Sequence, residues 1–456
     1  MTLPVNEPAR AQHTPRPSAR TLWKGALILS QDPAVGELRG DVLVDGATIT
    51  EVSAHVEADD GTVVDASRFA LLPGFVDTHR HTWQTALRGI TAGKDLAEYQ
   101  AVVQRGFGPR CTPADVYAGN ALGALGALDA GITTLCDESH IQNSPQHADA
   151  AVAALRDTGI RAVFDYGWPS TDSAVWMTKS SRPHPDYIRE LHRDQFMGQR
   201  TQGLLSLQLM ARGPAFTQLD VTRRDLALAR DLDIRTTMHV KRGSIDALES
   251  LGALDDRLTP IHCSTNDEDE LRKIVDAGAF ASVAANVELN MGGLGAPPVR
   301  TFLNLGMRPS LSVDVETTVG GDMFSVMLAA LISQTAEDVY GSPRPGARVS
   351  SRDVLAMATI EGARAAGLGH AVGSITPGKQ ADFVLVDLTH VNLVGAPDPV
   401  GVIVASGHAG NIDTVVLAGR VVKRRGALLD DDLVSRVSRL AIASRERLER
   451  EVAGRG

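Results

Sequence analysis

The stretch Leu71-Leu72-Pro73-Gly74-Phe75-Val76-Asp77-Thr78-His79-Arg80-His81 carries the clearest structural signal in the chain. Its apolar run before Asp77 is too short for a helix, and Pro73-Gly74 punctuates its start. It therefore predicts a short buried strand that runs into two histidines. Alternate residues of a strand share one face, so His79 and His81 can project their imidazoles into one space. Such a pair is common by chance, but it could also supply two of the ligands of a zinc or iron ion.

The middle of the chain alternates between strand-like and helical patterns. Strand-like runs occur at 71–78, 132–136, 161–166, 204–209, 234–239, 259–263, 281–285 and 309–313, and helical patterns at 113–130, 146–158, 221–231 and 266–277. This alternation predicts a parallel sheet. Eight strands over this length favour a (β/α)8 TIM barrel of the α/β class, and we assign residues 71–372 to it.

Both flanks of this region carry short Val/Ile/Leu runs that are separated by turn signals. They lie at 21–70, with turns such as Asp45-Gly46, and at 373–425. This texture predicts antiparallel β structure. Two such flanks around one long middle predict a single small β-sandwich built from both chain ends. An amphipathic helix is predicted at 430–453, packed on the barrel or on a partner subunit.

The composition is that of a globular protein, and it disfavours some classes of partner. The 456 residues are 43% hydrophobic and 22% charged, with a formal net charge of −10. This acidic balance argues against nucleic acid or an anionic membrane as the main partner. Residues 1–20 lack an apolar region and predict a flexible leader, and no apolar run approaches the length of a transmembrane helix. Cys111, Cys136 and Cys263 form no disulfide framework, so we expect a cytoplasmic protein.

Titratable residues stand directly after several of the predicted strands. They are His79, His81, Asp137, Arg212, His239, His262 and Asp314. A barrel places its catalytic residues at these carboxyl ends of its strands. Taken singly, His239 could be a satisfied core histidine, His262 a hydrogen-bond partner and Asp314 a helix N-cap. Together they place several imidazoles and a carboxylate around one barrel mouth, which points to chemistry.

These residues lie in motifs that resemble the amidohydrolase superfamily. The motifs are Pro-Gly-Phe-Val-Asp-Thr-His-x-His (73–81), Met-His (238–239), Ile-His-Cys (261–263), Ser-Val-Asp (312–314) and Gly-Ser-Ile-Thr-Pro-Gly-Lys-Gln-Ala-Asp-Phe-Val (373–384). Within the superfamily, the chain is similar to the branch of S-adenosylhomocysteine and guanine deaminases and of triazine hydrolases and chlorohydrolases. The resemblance covers nearly the whole chain. It implies a metal-dependent hydrolase of carbon–nitrogen bonds other than peptide bonds, and an assembly of two or more subunits.

The resemblance also implies one divalent metal, usually zinc, held by His79, His81, His239 and Asp314. Imidazole and carboxylate ligands suit zinc and iron alike, so iron stays an alternative. A site with an open position lowers the pKa of bound water to roughly 7. Asp314 would take the proton of this water and deliver it to the leaving group. His262 would stabilise the water or the developing oxyanion.

The chain departs from this branch at one position near the third ligand. The deaminases usually carry Glu three residues after that histidine, and here the position is Arg242. A permanently protonated Arg cannot act as the acid–base group. It either forms a salt bridge at the barrel rim or, with Lys241, binds an anionic group of the substrate.

Further substrate contacts are predicted from position around the barrel mouth. The candidates are Trp83, Gln84, Arg212, Arg242 and Glu288. Trp83 offers a flat apolar wall, or it packs under the first helix, and Gln84 offers an amide that can read a ring edge. We expect deamination of a small nitrogen heterocycle, or displacement of an amine or halide from it. The alternatives are hydrolysis of a cyclic or linear amide, a metal-dependent lyase or isomerase reaction, and a non-catalytic scaffold, against which the intact ligand set argues.

Overall fold

The computed structural model describes residues 20–57, 60–197, 203–340, 346 and 348–454, with the side chains of 336–340 left out. Apart from Arg20, the leader predicted at 1–20 lies outside the described residues. In the described part of the chain, no helix is both long enough and apolar enough to span a bilayer.

Strands and helices alternate along most of the described residues. The strands are β1 (Thr21–Leu29), β2 (Glu37–Asp45), β3 (Thr48–Ser53), β4 (Thr62–Asp65), β5 (Phe69–Pro73), β6 (Phe75–Arg80), β7 (Ile132–Ser139), β8 (Arg161–Tyr166), β9 (Leu205–Ala211), β10 (Thr236–His239), β11 (Leu258–Ile261), β12 (Ser282–Val283), β13 (Ser310–Leu311), β14 (Phe383–Asp387), β15 (Ile412–Leu417), β16 (Arg420–Arg424) and β17 (Ala427–Leu428). The α-helices are α1 (Leu96–Tyr99), α2 (Pro113–Asp129), α3 (Pro145–Thr158), α4 (Ser173–Met177), α5 (Tyr187–Leu191), α6 (Leu219–Asp231), α7 (Ser244–Ser250), α8 (Glu268–Asp276), α9 (Ala285–Asn290), α10 (Val299–Asn304), α11 (Met323–Tyr340), α12 (Ser351–Met357), α13 (Ile360–Ala365), α14 (Pro399–Ser406) and α15 (Asp431–Ala453). Short 3-10 helices span Thr82–Leu87, Gly108–Arg110 and Ala409–Asn411, and π-helical turns span Gln100–Phe107 and His192–Phe196.

The strands β6 to β13 form a parallel sheet in which spatial order follows chain order. Every residue of β7 is buried, as expected of strands that are covered on both faces. The sheet closes where Arg80 of β6 forms a parallel bridge with Asp314, just after β13. This arrangement confirms the predicted (β/α)8 barrel.

The strand predicted at 71–78 is in fact two strands that belong to different sheets. Phe69–Pro73 pairs antiparallel with β14, and Phe75–Arg80 begins the barrel. Gly74 lies between them, where a Cβ atom would come within 2.1 Å of the Thr133 side chain. Because β7 approaches so closely, only glycine fits at this junction between the two sheets.

Strands from both flanks of the barrel form the second sheet, in the order β17-β16-β15-β14-β5-β1-β2-β3, with β4 paired to β1. Its two faces bury different clusters, because side chains alternate along each strand. Leu71 joins a small core with an edge-to-face Trp23–Phe383 pair whose centroids lie 5.3 Å apart. Ala70 and Leu72 join the main core. The expected β unit from both flanks is confirmed, and its strands form one mixed sheet where two stacked sheets were predicted.

The helix α15 lies where a C-terminal helix was predicted, and it packs on the barrel helix α2. Its apolar face places Leu433 and Val437 in one buried cluster with Ala121 and Leu125 of α2 and Ala154 of α3. Ser444 donates a hydrogen bond of 2.7 Å to Asp115, near the start of α2. The amphipathic pattern is therefore satisfied within this chain along part of the helix.

Candidate metal centre

Three histidines and an aspartate meet at the carboxyl ends of the barrel strands. His79 and His81 stand two residues apart at the end of β6, and both are buried. His239 ends β10, and Asp314 follows β13. The ring centroids of His81 and His239 lie 4.7 and 4.9 Å from that of His79. The four residues predicted as metal ligands are thus neighbours in space.

The carboxylate of Asp314 lies among these imidazoles. Its Oδ1 atom lies 3.2 Å from His79 Nε2 and 3.5 Å from His81 Nε2. Its Oδ2 atom faces His262, whose Nε2 lies 3.7 Å away. One carboxylate oxygen therefore faces the predicted ligands, and the other faces the residue predicted to stabilise the oxyanion.

Glu138, at the carboxyl end of β7, holds the outer side of the histidine cluster. Its Oε2 atom lies 2.6 Å from His79 Nδ1, and its backbone oxygen lies 2.8 Å from His81 Nδ1. Its Oε1 atom lies 3.2 Å from His239 Nδ1. Contacts at Nδ1 leave Nε2 of each ring for the centre and fix the ring orientation. This role was not predicted from the sequence. The one feature of the sequence that points to it is the position of Glu138 at the carboxyl end of a strand.

Burial and neighbouring charges favour the metal-binding protonation states of His81, His239 and Asp314. Burial lowers the pKa of His81 and of His239 well below the usual value, and neighbouring imidazoles lower both further. Burial alone would raise the pKa of Asp314, but the close contact with His79 and the charges of His79, His262 and His81 outweigh it and hold the pKa below its usual range. Neutral imidazoles and an ionised carboxylate are the forms that coordinate divalent ions.

The chemistry of the cluster also fits a bound cation. Burial alone would lower the pKa of His79, but the carboxylates of Glu138 and Asp314 raise it well above its usual value. This position therefore attracts a positive charge. His79 Nε2 is buried, and within the described residues it forms no hydrogen bond of acceptable geometry. The ligand atoms of His79, His81, Glu138 and His239 lie within 4.8 Å of one another, as do those of His79, His262 and Asp314.

Backbone strain marks two of the predicted functional positions. His262 has φ 67° and Asp314 has φ 66°, both in the left-handed region. Such conformations cost about 1–3 kcal/mol for residues other than glycine. Hydrogen bonds hold them in place, from His262 N to Ser282 O at 2.8 Å and from Asp314 N to His79 O at 2.9 Å. Strain of this kind clusters at active sites, where neighbouring structure over-determines the backbone.

Glu288 lies behind His262 on the side away from Asp314. Its Oε1 atom lies 2.9 Å from His262 Nδ1 and accepts a hydrogen bond of 3.0 Å from the Ala284 amide. Burial raises the pKa of Glu288 above its usual value. The carboxylate therefore orients the imidazole, and the structure places it as a partner of His262 and not in the wall of the cavity.

A cavity of about 280 Å³ opens above this centre. His81, His239, His262 and Asp314 form part of its wall, and the other lining residues include Tyr99, Gln104, His140, Trp168, Phe216, Lys241 and Met291. Sequence reasoning did not select Trp168 or Phe216, although both follow barrel strands. Tyr99 and Gln104 come from the connection after β6, where a π-helical turn brings Gln104 to the cavity, and no sequence pattern marks them.

The predicted substrate contacts lie in different places. Trp83 and Gln84 are buried, and Gln84 donates a hydrogen bond of 2.7 Å to the hydroxyl of Tyr99, which lines the cavity. Arg212 is fully buried and forms an ion pair of 3.0 Å with Asp225. The Arg242 side chain is 74% exposed and pairs with Asp267 at 2.9 Å. Both arginines therefore already have carboxylate partners, and neither is among the described residues that line the cavity.

Comparison with known proteins agrees with this geometry. The model of the amidohydrolase family matches residues 70–422. The 5-methylthioadenosine/S-adenosylhomocysteine deaminase of Pyrococcus abyssi is 25% identical over 441 residues, which cover 92% of this chain and 96% of that protein. The 5'-deoxyadenosine deaminase of Methanothermobacter thermautotrophicus is 27% identical and covers 90% of this chain and 96% of its own length.

Solved structures share the fold along almost the whole chain. The zinc complex of atrazine chlorohydrolase from Arthrobacter aurescens has a TM-score of 0.78 at 21% identity and covers 92% of this chain and 100% of its own. A zinc-bound adenosine deaminase from Xanthomonas campestris has a TM-score of 0.79 at 22% identity, with coverages of 95% and 100%. The family model spans well over half of the sequence and includes every residue of the histidine–aspartate cluster. The chain therefore belongs to the amidohydrolase family.

Proposed function

We propose that this protein is a zinc-dependent aminohydrolase that replaces the amino group of a small nitrogen heterocycle by oxygen. The observation that carries the proposal is the position of Asp314, with one carboxylate oxygen toward His79 and His81 and the other toward His262. The deaminase relatives, whose names refer to adenosine derivatives, support a purine or a similar ring as the substrate.

His79, His81, His239 and Asp314 would hold a single zinc ion on the inner side of the cluster. Glu138 contacts the Nδ1 side of the histidines, so it serves as their outer partner. Iron has similar ligand preferences and is the alternative ion. When bound, the ion supplies Lewis acidity and lowers the pKa of water to roughly 7.

The residues of the chain then move the proton and stabilise the charge. Asp314 Oδ2, which faces His262 and not the predicted metal ligands, would accept the proton of the attacking water. His262, oriented by Glu288, would present Nε2 to the oxygen that attacks the ring carbon and would stabilise the negative charge of the tetrahedral adduct. Asp314 then returns the proton to the amino nitrogen, and ammonia leaves.

The cavity wall would hold the ring over these groups. Trp168, His140 and Phe216 offer flat surfaces for a planar heterocycle, and Gln104 offers an amide for its edge. Among the described lining residues, Asp314 is the sole carboxylate. It would therefore serve both as the base and as the acid of the reaction.

Displacement of a halide is the second candidate. Arg242 stands where the related deaminases carry a glutamate, and its side chain pairs with Asp267 at the surface. A halide leaves as an anion and needs no proton, so this reaction would depend less on a second acid. Hydrolysis of an amide would use the same attacking water and the same oxyanion stabilisation.

We also propose a cytoplasmic, homo-oligomeric protein of at least two subunits. Cys111, Cys136 and Cys263 are buried and free, which suits a reducing compartment. Leu440 and Ile442 are exposed on α15 and offer apolar surface to a partner subunit. Size-exclusion chromatography with light scattering would measure the number of subunits.

Product release from a panel of heterocycles tests the function. Zinc-loaded and iron-loaded enzyme would be assayed for ammonia release from 5'-deoxyadenosine, 5'-methylthioadenosine, adenosine 5'-monophosphate, guanine and melamine, and for chloride release from a chlorotriazine. Ammonia release that is lost in Asp314→Asn supports the proposal. Chloride release alone supports the second candidate. No product from any compound, with metal bound, would refute both.

A further inference from the structure

Lys241 places a cation in the wall of the cavity, two residues beyond the candidate ligand His239. Its side chain lines the cavity, and its Nζ atom lies 4.9 Å from the centre of the Phe216 ring. The backbone there is held on both sides, because the Lys241 amide donates to Ser244 Oγ at 3.0 Å and the Lys241 carbonyl accepts from Asn266 at 3.2 Å. These bonds fix the backbone of Lys241, whose exposed side chain reaches the cavity wall from the loop that leaves β10.

Lys241 and Arg242 differ in whether a carboxylate neutralises their positive charge. Arg242 turns to the surface and pairs with Asp267 at 2.9 Å. In the part of the chain that the structure describes, Lys241 Nζ forms no ion pair or hydrogen bond. It lies instead over the face of the Phe216 ring. A cation over an aromatic ring keeps its N–H groups free for an anion.

The charged groups of the cavity wall are unevenly distributed. Asp314 lies among histidines at the metal centre, whereas Lys241 lies beside the ring of Phe216. The Cα atoms of His239 and Lys241 can be at most about 7 Å apart, because two residues of extended chain span no more. An anionic group bound by Lys241 would therefore lie within reach of a ring that is held over the metal centre.

We infer that the substrate carries an anionic oxygen group, a carboxylate or a phosphate, and that Lys241 binds it. This inference rests on the proposed function for the position of the ring, and it narrows the substrate class to acidic heterocycles. The Lys241 ammonium, 4.9 Å from the centre of the Phe216 ring, neutralises the anion. Neutral heterocycles would bind by their ring alone.

Binding of product-like compounds tests this inference without turnover. Calorimetry would compare neutral and acidic members of matched pairs, uracil with orotate and inosine with inosine 5'-monophosphate, on zinc-loaded protein. Lys241→Met keeps the apolar stem and removes the charge, and Lys241→Arg restores it. Arg242→Met tests the neighbouring cation, and Lys273→Met, which removes a partly exposed lysine paired with Asp246 and Glu249, is the control for net charge.

We expect at least one acidic compound to bind tenfold or more tightly than its neutral partner. This preference should disappear in Lys241→Met, recover at least in part in Lys241→Arg, and persist in Arg242→Met and Lys273→Met. The inference is overturned if no acidic compound is preferred, or if the preference survives in Lys241→Met. Acidic preference without deamination of any compound would refute the proposed function alone, and deamination without acidic preference would refute this inference alone.

Discussion

The backbone carbonyl of Asp314 accepts a hydrogen bond of 2.9 Å from the amide of His81. The last strand of the barrel is thereby joined to the first at two of the candidate metal ligands. The Asp314 amide donates in turn to the carbonyl of His79 at 2.9 Å. Closure of the barrel and assembly of the metal centre are therefore the same structural event, and they depend on the left-handed backbone at Asp314.

Replacement of Asp314 by Asn should abolish turnover. The amide keeps the size of the side chain but cannot accept the proton of water, and general acid–base groups contribute about 100- to 10,000-fold in rate. We expect kcat to fall by at least about 100-fold in steady-state assays in which both proteins carry the same amount of metal. Asp267→Asn, the same change at the exposed partner of Arg242, should keep the wild-type rate. Turnover of Asp314→Asn near the wild-type rate would contradict the assigned role.

Replacement of Glu138 by Gln should weaken metal binding in a folded protein. Glu138 contacts the outer nitrogens of His79 and His239, and loss of such partners costs about 10- to 100-fold in affinity. Competition with a chromophoric chelator would measure the zinc dissociation constant directly. Glu249→Gln, at an exposed partner of Lys273, is the matched control and should bind zinc as the wild type does. An unchanged constant in Glu138→Gln would remove the positioning role.

Replacement of Glu288 by Gln should lower kcat more than it raises KM. Glu288 contacts His262 on the side away from Asp314, so its loss affects the stabilisation of the developing charge and not the binding of the ring. We expect a reduction in kcat of about tenfold, less than the roughly 100- to 1,000-fold loss expected for His262→Ala. Steady-state kinetics of both variants would check the order. An increase in KM at constant kcat would show instead that Glu288 contacts the substrate.

Replacement of Glu316 by Gln should destabilise the barrel beside the site. Glu316 is buried and contacts Arg80 at 2.9 Å, Arg88 at 3.1 Å and the hydroxyl of Thr85 at 2.6 Å. Removal of the Glu316 charge leaves the positive charge of the buried Arg80 only partly neutralised. We expect this to lower the free energy of unfolding by about 3 kcal/mol. Urea unfolding would measure this loss. Glu268→Gln, at an exposed pair with Arg272, should change the free energy of unfolding by less than about 0.5 kcal/mol.

The same carboxylate should make stability depend on pH in the acid range. Burial alone would raise the pKa of Glu316, but the charges of Arg80 and Arg88 outweigh it and lower the pKa below 4.5. A lowered pKa in the folded state contributes stability above the unfolded-state value, and this contribution is lost as pH falls from about 4.5 through the folded-state value. Unfolding measured from pH 6 to pH 3 should show a smaller decline in Glu316→Gln than in the wild type. Identical pH dependence would show that Glu316 does not contribute.

Much of the fold and of the candidate centre could be predicted because both follow from local patterns. Short apolar runs and the helical patterns between them predict the barrel strands and helices, and strand carboxyl ends meet at one mouth in any such barrel. His79, His81, His239 and Asp314 each lie at or just after the carboxyl end of a strand, so their proximity required no detail of packing. The junction at Gly74 was not predictable, because it depends on the approach of Thr133 from another strand.

The sequence by itself determined the barrel, the family and the residues that meet at its mouth, since strand order converts residues far apart in the chain into neighbours. Only the tertiary structure decided which charged side chains face the cavity. Arg212 is turned to Asp225 and Arg242 to Asp267, whereas Lys241 remains in the wall and Glu138 holds the histidines from outside. These orientations depend on partners from other segments of the chain, and the energy of a buried or paired charge is set by those partners and not by its own position in sequence.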